Sequence, residues 1–385
     1  AEQFDLAVVA TGHVWPEESS ATRNYFPSPW SGLMEASIPA CSIGIMGTSL
    51  SGIDAAMAVA IQHGTFYETE DKRLHFDLDA DSKALQMVLM SRSGILPEAD
   101  FYCPIPYEPL SVVTERAIEK EIAAGSEGLL DRVFALMVNE LTLADPLWSK
   151  QIALSTLNAD SFFAAWFADR KEQDPFRWAE TNLNEVERNK RDRRTVPWRY
   201  TILRLHEAIQ PIVPWLDEQD SARFEAGLAR IFIDNYAAVP SQSIRRLLAL
   251  REAGILNVRA LGSNYEMEIG EQQTTIFAEG ERYQYDVFID ARGQRPLKTD
   301  DLPFPTLRKQ LAATGEEIPT VGDDYTLQEP ASVRGRIAFG AIPYLMHDQP
   351  FVQGITACAE IGAAIARAVA QPATRMRGWL QMLEL

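Results

Sequence analysis

An α/β fold carrying a large helical insertion is predicted by three features of the 385-residue sequence. A strand, a glycine turn and an Ala-rich helix follow one another from Ser42 to His63. From about Glu108 to Leu250 the pattern changes to long, charged helical stretches that hold five of the eight tryptophans: Trp148, Trp166, Trp178, Trp198 and Trp215. After Gly254, short β-branched and aromatic runs return.

The elements follow in chain order. Phe4-Asp5-Leu6-Ala7-Val8-Val9-Ala10-Thr11-Gly12 reads as a buried strand, because a short aliphatic run ends at a turn residue. Residues 13–40 are rich in proline, serine and aromatics, including Trp15-Pro16 and Phe26-Pro27-Ser28-Pro29-Trp30, so they form no regular helix and read as a crossover between domains. Ser42-Ile43-Gly44-Ile45-Met46 is a strand, Gly47-Thr48-Ser49-Leu50-Ser51-Gly52 a tight turn, and Ile53 to His63 a helix. Thr65 to Asp79 alternates apolar and charged residues about Asp71-Lys72, as a solvated hairpin does. Gln86 to Met90 is the next strand and ends at Ser91-Arg92-Ser93-Gly94-Ile95-Leu96-Pro97. Past the insertion, Asn257 to Leu261, Tyr265 to Ile269, Thr274 to Ala278 and Tyr285 to Asp290 are four strands in sequence, as in a meander. Arg336 to Gly340 is one more strand, and Gly354 to Ala370 a final helix.

The strand-turn-helix at Ser42 to His63 has the form of a nucleotide-binding βαβ opening. There, glycines let the turn tighten and let a pyrophosphate approach backbone N–H groups at the positive end of the helix. Gly47-x-Ser49-x-x-Gly52 keeps the first and third glycines, and Ser49 stands at the middle position, where a side chain crowds the phosphates. Thr48 and Leu50 complete the turn. Arg92 lies just past the next strand, where a guanidinium clamps a 2′-phosphate and an acidic residue would hold a ribose hydroxyl. NADP is therefore expected over NAD, although a plain structural turn and a plain surface arginine also fit these residues. Asp54 is read in the first helical turn as a charge favoured by the helix dipole. The expected architecture is a Rossmann-like three-layer dinucleotide-binding domain over residues 37–107 and 251–295, interrupted by the helical insertion 108–250.

Phe4-Asp5-Leu6-Ala7-Val8-Val9-Ala10-Thr11-Gly12-His13 aligns without a gap on Tyr285-Asp286-Val287-Phe288-Ile289-Asp290-Ala291-Arg292-Gly293-Gln294. The second copy closes a unit that opened with the turn at Gly47. By the same logic the first copy closes a unit whose opening turn would precede Ala1, so the chain is expected to lack an N-terminal piece. Residues 1–36 and 296–385 are accordingly expected to be the remnant of a second Rossmann-like domain.

Bulk properties narrow the partners. A formal charge of -18 argues against nucleic acid and against an anionic membrane surface, leaving a small-molecule substrate or oxygen. Three well-separated cysteines, Cys41, Cys103 and Cys358, make neither a disulfide framework nor a zinc site and fit a reducing cytoplasm. No apolar run approaches the roughly 20 residues that span a bilayer. His13, His63, His75, His206 and His347 share no metal-ligand spacing, and neither HExxH nor GxSxG occurs. His347-Asp348, before the last helix, reads as a loop polar pair or as a proton-transfer pair. His13 reads as a structural hydrogen-bonding residue or as a group at a domain cleft. Arg188 to Arg194 is a strongly basic run, either a solvated helix end or an anion contact.

Gly44 to Asp54 with Ser91 to Pro97 resembles the bacterial FAD/NAD(P)-binding proteins distantly related to flavin monooxygenases. Val9-Ala10-Thr11-Gly12-His13 is similar to that family's ATGH segment. Phe339-Gly340 and Phe351-Val352-Gln353-Gly354-Ile355 are similar to the strand end and helix start that face the flavin. The resemblance implies an FAD- and NAD(P)H-dependent oxidoreductase with an FAD-type second domain. It implies that Thr11, Gly12, Gly340, Gln353 and Gly354 lie on FAD, and Gly47, Thr48, Ser49, Leu50, Gly52 and Arg92 on NADP. Ala341 stands where such flavoproteins often carry an acidic residue, and FAD is expected of the full-length protein rather than of this stretch alone. The alternative is a noncatalytic nucleotide-binding or interaction module whose turn keeps the fold without the cofactor.

Overall fold

The computed structural model describes residues 4–13, 24–293, 296–352 and 354–370. It is an α/β chain of two compact units, Trp15–Gly293 and, separately, Ala1–Val14 with Gln294–Leu385.

In the smaller unit β1 (Ala7–Val9) pairs in parallel with a strand from the far end of the chain, described below. β1 is shorter and less buried than the sequence suggests: Val9 is buried, but Val8 is 49% exposed.

The larger unit is built on a five-stranded parallel sheet. Its strands are β2 (Tyr25–Phe26), β3 (Ser42–Met46), β6 (Gln86–Ser91), β7 (Leu256–Ala260) and β11 (Val287–Asp290), in the spatial order β2-β11-β3-β6-β7. Helix α1 (Leu50–Ala60) and the antiparallel hairpin β4 (Gly64–Glu68) and β5 (Leu74–Leu78) connect β3 to β6. The hairpin turns at Lys72, which sits at a φ of 64°. Phe26 and Leu33 are buried in this unit's core, so the stretch after residue 24 belongs here and not, as the sequence suggested, with residues 1–13.

Nine α-helices lie between β6 and β7 among the described residues: α2 (Glu115–Ala123), α3 (Leu129–Ala144), α4 (Pro146–Gln151), α5 (Phe162–Glu172), α6 (Pro175–Asp192), α7 (Pro197–Ile209), α8 (Glu218–Ala226), α9 (Leu228–Tyr236) and α10 (Ser241–Glu252). Their starts are written in the sequence. Asp145, Asp174 and Asp217 each accept a backbone N–H from the first turn of the next helix, and proline follows two of them at the first helical position. Buried Glu140 in α3 accepts the N–H groups of Ser111 and Val113, tying the incoming loop to the helices. Asp220 accepts the N–H of Leu130 at the start of α3, and Arg223 joins Asp131, Asp160 and Asp220.

Past α10 the chain enters β7, then β8 (Tyr265–Ile269), β9 (Thr274–Ala278) and β10 (Glu281–Tyr285), which form a separate three-stranded antiparallel sheet, and finally β11. The meander is thus three strands and not the four expected. β7 runs parallel beside β6, and Asp286 breaks the run Tyr285 to Asp290 in two, exchanging bonds with the backbone of Ser42.

Side chains alternate across the parallel sheet with period two. Ile43, Ile45, Met87, Leu89, Val287 and Ile289 face one core with α1, α6 and α10. Met46, Met90 and Phe288 face the other, covered by Ile276 and Ala278 of the meander. Helices, parallel sheet and meander therefore form three layers, and strands covered on both faces explain the near-continuous apolar runs.

The smaller unit continues with α11 (Pro305–Ala312), β12 (Ile337–Phe339), α12 (Ile342–Leu345) and α13 (Gly354–Ala370). β12 is the partner of β1, and Val9, Phe339, Ile361 and Ile365 share its core. No helix among the described residues is long and apolar enough to cross a membrane. No group of three or more histidine, cysteine, aspartate or glutamate residues there could hold a metal ion.

Candidate functional site

The chain steps from β3 to β6 to β7 in one direction and then places β11 on the opposite side of β3. Ligands of open parallel sheets bind at such a reversal, outside the carboxyl ends of the strands. The Gly47 turn lies there. Gly47 has a φ of 136°, a conformation open to glycine, and a Cβ on it would lie 2.9 Å from the Ala291 carbonyl oxygen just past β11. Gly52 packs closer still: its Cβ would sit 2.4 Å from the Gly47 carbonyl oxygen. The two glycines are therefore required by the way the helix start rides on the strand end.

α1 begins at Leu50, three residues earlier than the sequence suggests, so Leu50 and Gly52 belong to its first turn and Asp54 to its second. Asp54 is thus not the first-turn charge expected; burial raises its carboxyl above the ordinary value. Ser49 is the N-cap in extended conformation, but its hydroxyl makes no cap bond, and no acidic side chain lies in the first turn. Among the described residues no capping side chain takes up the first N–H groups of α1. Thr48 and Ser49 line a cavity of about 260 Å³ together with Ser91, Ser93, Phe167 and Arg230, the last two brought by α5 and α9 of the insertion. Arg92 is exposed at the end of β6, with its carbonyl bonded to the Gly262 N–H and its guanidinium in no ion pair among the described residues. Sequence reasoning found the turn but not Arg230, whose place in the chain gives no hint of proximity to β3.

In the smaller unit Thr11 and Gly12 follow β1 and Gly340 follows β12, so the parallel pairing brings these strand ends together, with the Gly340 N–H donating to the Val9 carbonyl. Gly340 is not sterically demanded, since a Cβ would meet neighbours at 3.7 Å. Gly354 starts α13 at a φ of 78°. Gln353 lies outside the described residues. Ala341 is buried, and His347 bonds the Leu297 carbonyl through Nε2 at 3.0 Å, a structural tie across its own unit. Desolvation lowers the His13 imidazole from its ordinary value. The basic run ends α6, where Arg193 caps the helix in a left-handed conformation and Lys190 pairs with Asp100, as cations at the negative helix end do.

Cys41, just before β3, has its thiol raised to about 11 by burial and, secondarily, by Asp286. The thiolate is the nucleophile, so a raised value leaves roughly a thousandth of this thiol reactive at pH 8. Alkylation at pH 8 should mark exposed Cys358 well before Cys41, and the Cys41 rate should rise about tenfold per pH unit up to pH 10. Mass spectrometry of quenched samples reads both sites, and a Cys41 rate that does not change with pH would contradict the assignment.

Fold and site define an α/β protein with a helical domain inserted between β6 and β7 of a parallel sheet. The inserted helices are a module of their own: residues 114–236, from the N-cap of α2 through α9, match the family described as the YdhS-like middle domain. The chain is 68% identical over 377 residues to the uncharacterized protein YdhS of Escherichia coli (strain K12), an alignment covering 98% of this chain and 71% of that one. It belongs to the YdhS family.

Proposed function

We propose that the larger unit binds a nicotinamide dinucleotide at the turn between β3 and α1, NADP in preference to NAD, as part of an FAD- and NAD(P)H-dependent oxidoreductase acting on a small molecule or oxygen. The observation that carries the reading is the pair of glycine contacts at the switch of strand direction. Gly47 needs its positive φ, and Gly52 admits no Cβ against the Gly47 carbonyl. Those are the physical roles of the first and third glycines of a dinucleotide turn. Counting β3 first, the sheet reads 3-2-1-4 across β7, β6, β3 and β11, the order of one mononucleotide-binding half, 3-2-1, with the next strand placed across the switch point. The N-cap of α1, whose side chain makes no cap bond, suits a pyrophosphate, and the Arg92 guanidinium, in no ion pair among the described residues, suits a 2′-phosphate. When bound, NADPH supplies a hydride; the chain's residues bind and orient it.

The assignment of the smaller unit to FAD rests on the family resemblance and on the adjacency of Thr11, Gly12 and Gly340 at two parallel strand ends. One observation favours the second reading, a nucleotide-binding or interaction module without catalysis. Ser49 carries a side chain at the position where the backbone should be closest to phosphate.

Calorimetric titration with NADPH, NADH and FAD separates them. The oxidoreductase reading expects saturable NADPH binding, tighter than NADH, that weakens about tenfold in Arg92→Ala, the lower end for a charge-assisted bond because the residue is exposed. Absence of saturation with all three would sink the cofactor site in this chain.

A further inference from the structure

The helical insertion holds a second cavity, of about 400 Å³, which shares no lining residue with the one at Thr48 and Ser49. Its apolar walls are the indoles of Trp148, Trp166, Trp178 and Trp198, with Ile152. Trp148 and Trp198 stack at 4.9 Å, and Trp166 stands edge-on to both, so these walls are held in place by one another. The charged floor comes from Arg170 and Arg199, each with a side chain only 5% exposed.

The two guanidiniums are not equally satisfied. Arg170 is fully engaged: its Nη1 donates to Asp234 at 2.9 Å, its Nη2 reaches Asp234 and Glu98, and its plane covers the Trp178 ring. Arg199 sits on the Trp198 ring at 4.6 Å and approaches Glu98 Oε2 through Nε at 2.8 Å, but neither its Nε nor its Nη1 has an aligned acceptor. The Nη1 end lies toward Glu185 Oε1 at 3.6 Å, beyond hydrogen-bond reach, and Glu185 lines the same cavity. A buried guanidinium nitrogen without an aligned acceptor costs stability, and Arg199 lines an indole-walled space of the size that small molecules occupy.

The geometry points to a binding site for a small carboxylate with a flat apolar body, its carboxylate accepting from the Arg199 guanidinium and its ring or chain lying among the four indoles. A single carboxylate matches one guanidinium whose nitrogens lack aligned acceptors. The buried charges Arg170, Arg199, Glu98 and Asp234 already sum to zero, and Asp169 and Glu185 add negative charge to the lining. That surplus weighs more heavily against a dianionic phosphate than against a monocarboxylate. The site is independent of the nucleotide reading above.

Phenylacetate is the probe, with phenylacetamide as its neutral counterpart, and calorimetry the readout on the full chain without nucleotide. Phenylacetate should saturate at millimolar concentration or below and bind at least tenfold tighter than the amide. Thr181 lines the cavity from the exposed side of α6 and bonds only within its own helix. Thr181→Phe should fill the space and abolish binding with an unchanged circular dichroism spectrum. Arg199→Lys, which keeps the charge but not the fork, should weaken the acid and leave the amide unaffected. No saturation by phenylacetate, equal binding of acid and amide, or full binding to Thr181→Phe would each overturn the assignment.

Discussion

Glu98→Ala is expected to destabilise the larger unit by about 3–5 kcal/mol, the range for breaking a buried ion pair by removing one partner. Glu98 is 3% exposed and follows Pro97 in the loop after β6. Its carboxylate faces Arg170 at 3.4 Å and Arg199 at 2.8 Å. Without it, two buried cations share one buried carboxylate, Asp234, which reaches only Arg170. The size of the effect comes from the poorly compensated charge of Arg199, left with only the half-exposed Glu185 at 3.6 Å, and not from the attraction lost, because desolvation of the pair offsets most of that attraction while both partners are present. The backbone around Glu98 is equally engaged: its carbonyl accepts the Val239 N–H, and the Asp100 N–H reaches the Val239 carbonyl. The substitution therefore loosens the place where the inserted helices dock on the sheet. Glu98→Gln keeps the shape and one acceptor and should cost less. Urea unfolding followed by tryptophan fluorescence reads both, since the affected guanidiniums lie on Trp178 and Trp198. A loss under about 0.5 kcal/mol for Glu98→Ala, the size of an ordinary surface change, would mean that water already solvates Arg199.

What was legible in the sequence follows the range of the interactions involved. β3, β8, β9 and α13 are set by local patterns, and their bounds agree with the sequence reading. The turn at Gly47 is legible because its reason is local: Gly47 and Gly52 meet each other within one strand-to-helix corner. The division of Tyr285 to Asp290 was not legible, because the break at Asp286 depends on Ser42, 244 residues away. The cluster of Glu98, Arg170, Arg199 and Asp234 was invisible for the same reason. Its members share no spacing, and each on its own reads as a surface charge on a helix or loop. One signal could have raised suspicion: Glu98 falls between the apolar Ile95-Leu96-Pro97 and Ala99, where a buried carboxylate would need a cation. The sequence places five tryptophans in the helical stretches, but only the meeting of four of them from α4, α5, α6 and α7 makes a cavity wall.

Gly52→Ala tests the nucleotide turn by its most demanding contact. On propensity alone the change should help, since alanine in a helix is favoured over glycine by about 1 kcal/mol. Sterics decide otherwise, because the new Cβ would meet the Gly47 carbonyl oxygen at 2.4 Å and its carbon at 2.8 Å, both backbone atoms that no rotamer can move aside. Either α1 slides away from β3 or the turn opens, and the packing of Ile53, Ala56 and Val59 against the sheet pays part of that strain. Overpacking of this kind costs about 1–3 kcal/mol, so after the propensity gain the net change should be a loss of up to about 2 kcal/mol by thermal unfolding. The same displacement moves the N–H groups of the helix start, so NADPH affinity should fall at least tenfold at a temperature where the variant is still folded. Ser49→Gly separates the two effects. The Ser49 hydroxyl makes no cap bond, so its removal should leave stability within about 0.5 kcal/mol, while freeing the backbone to approach a phosphate should tighten NADPH. If Gly52→Ala unfolds earlier but binds NADPH as the parent does, the turn holds the helix on the sheet and takes no part in the cofactor site.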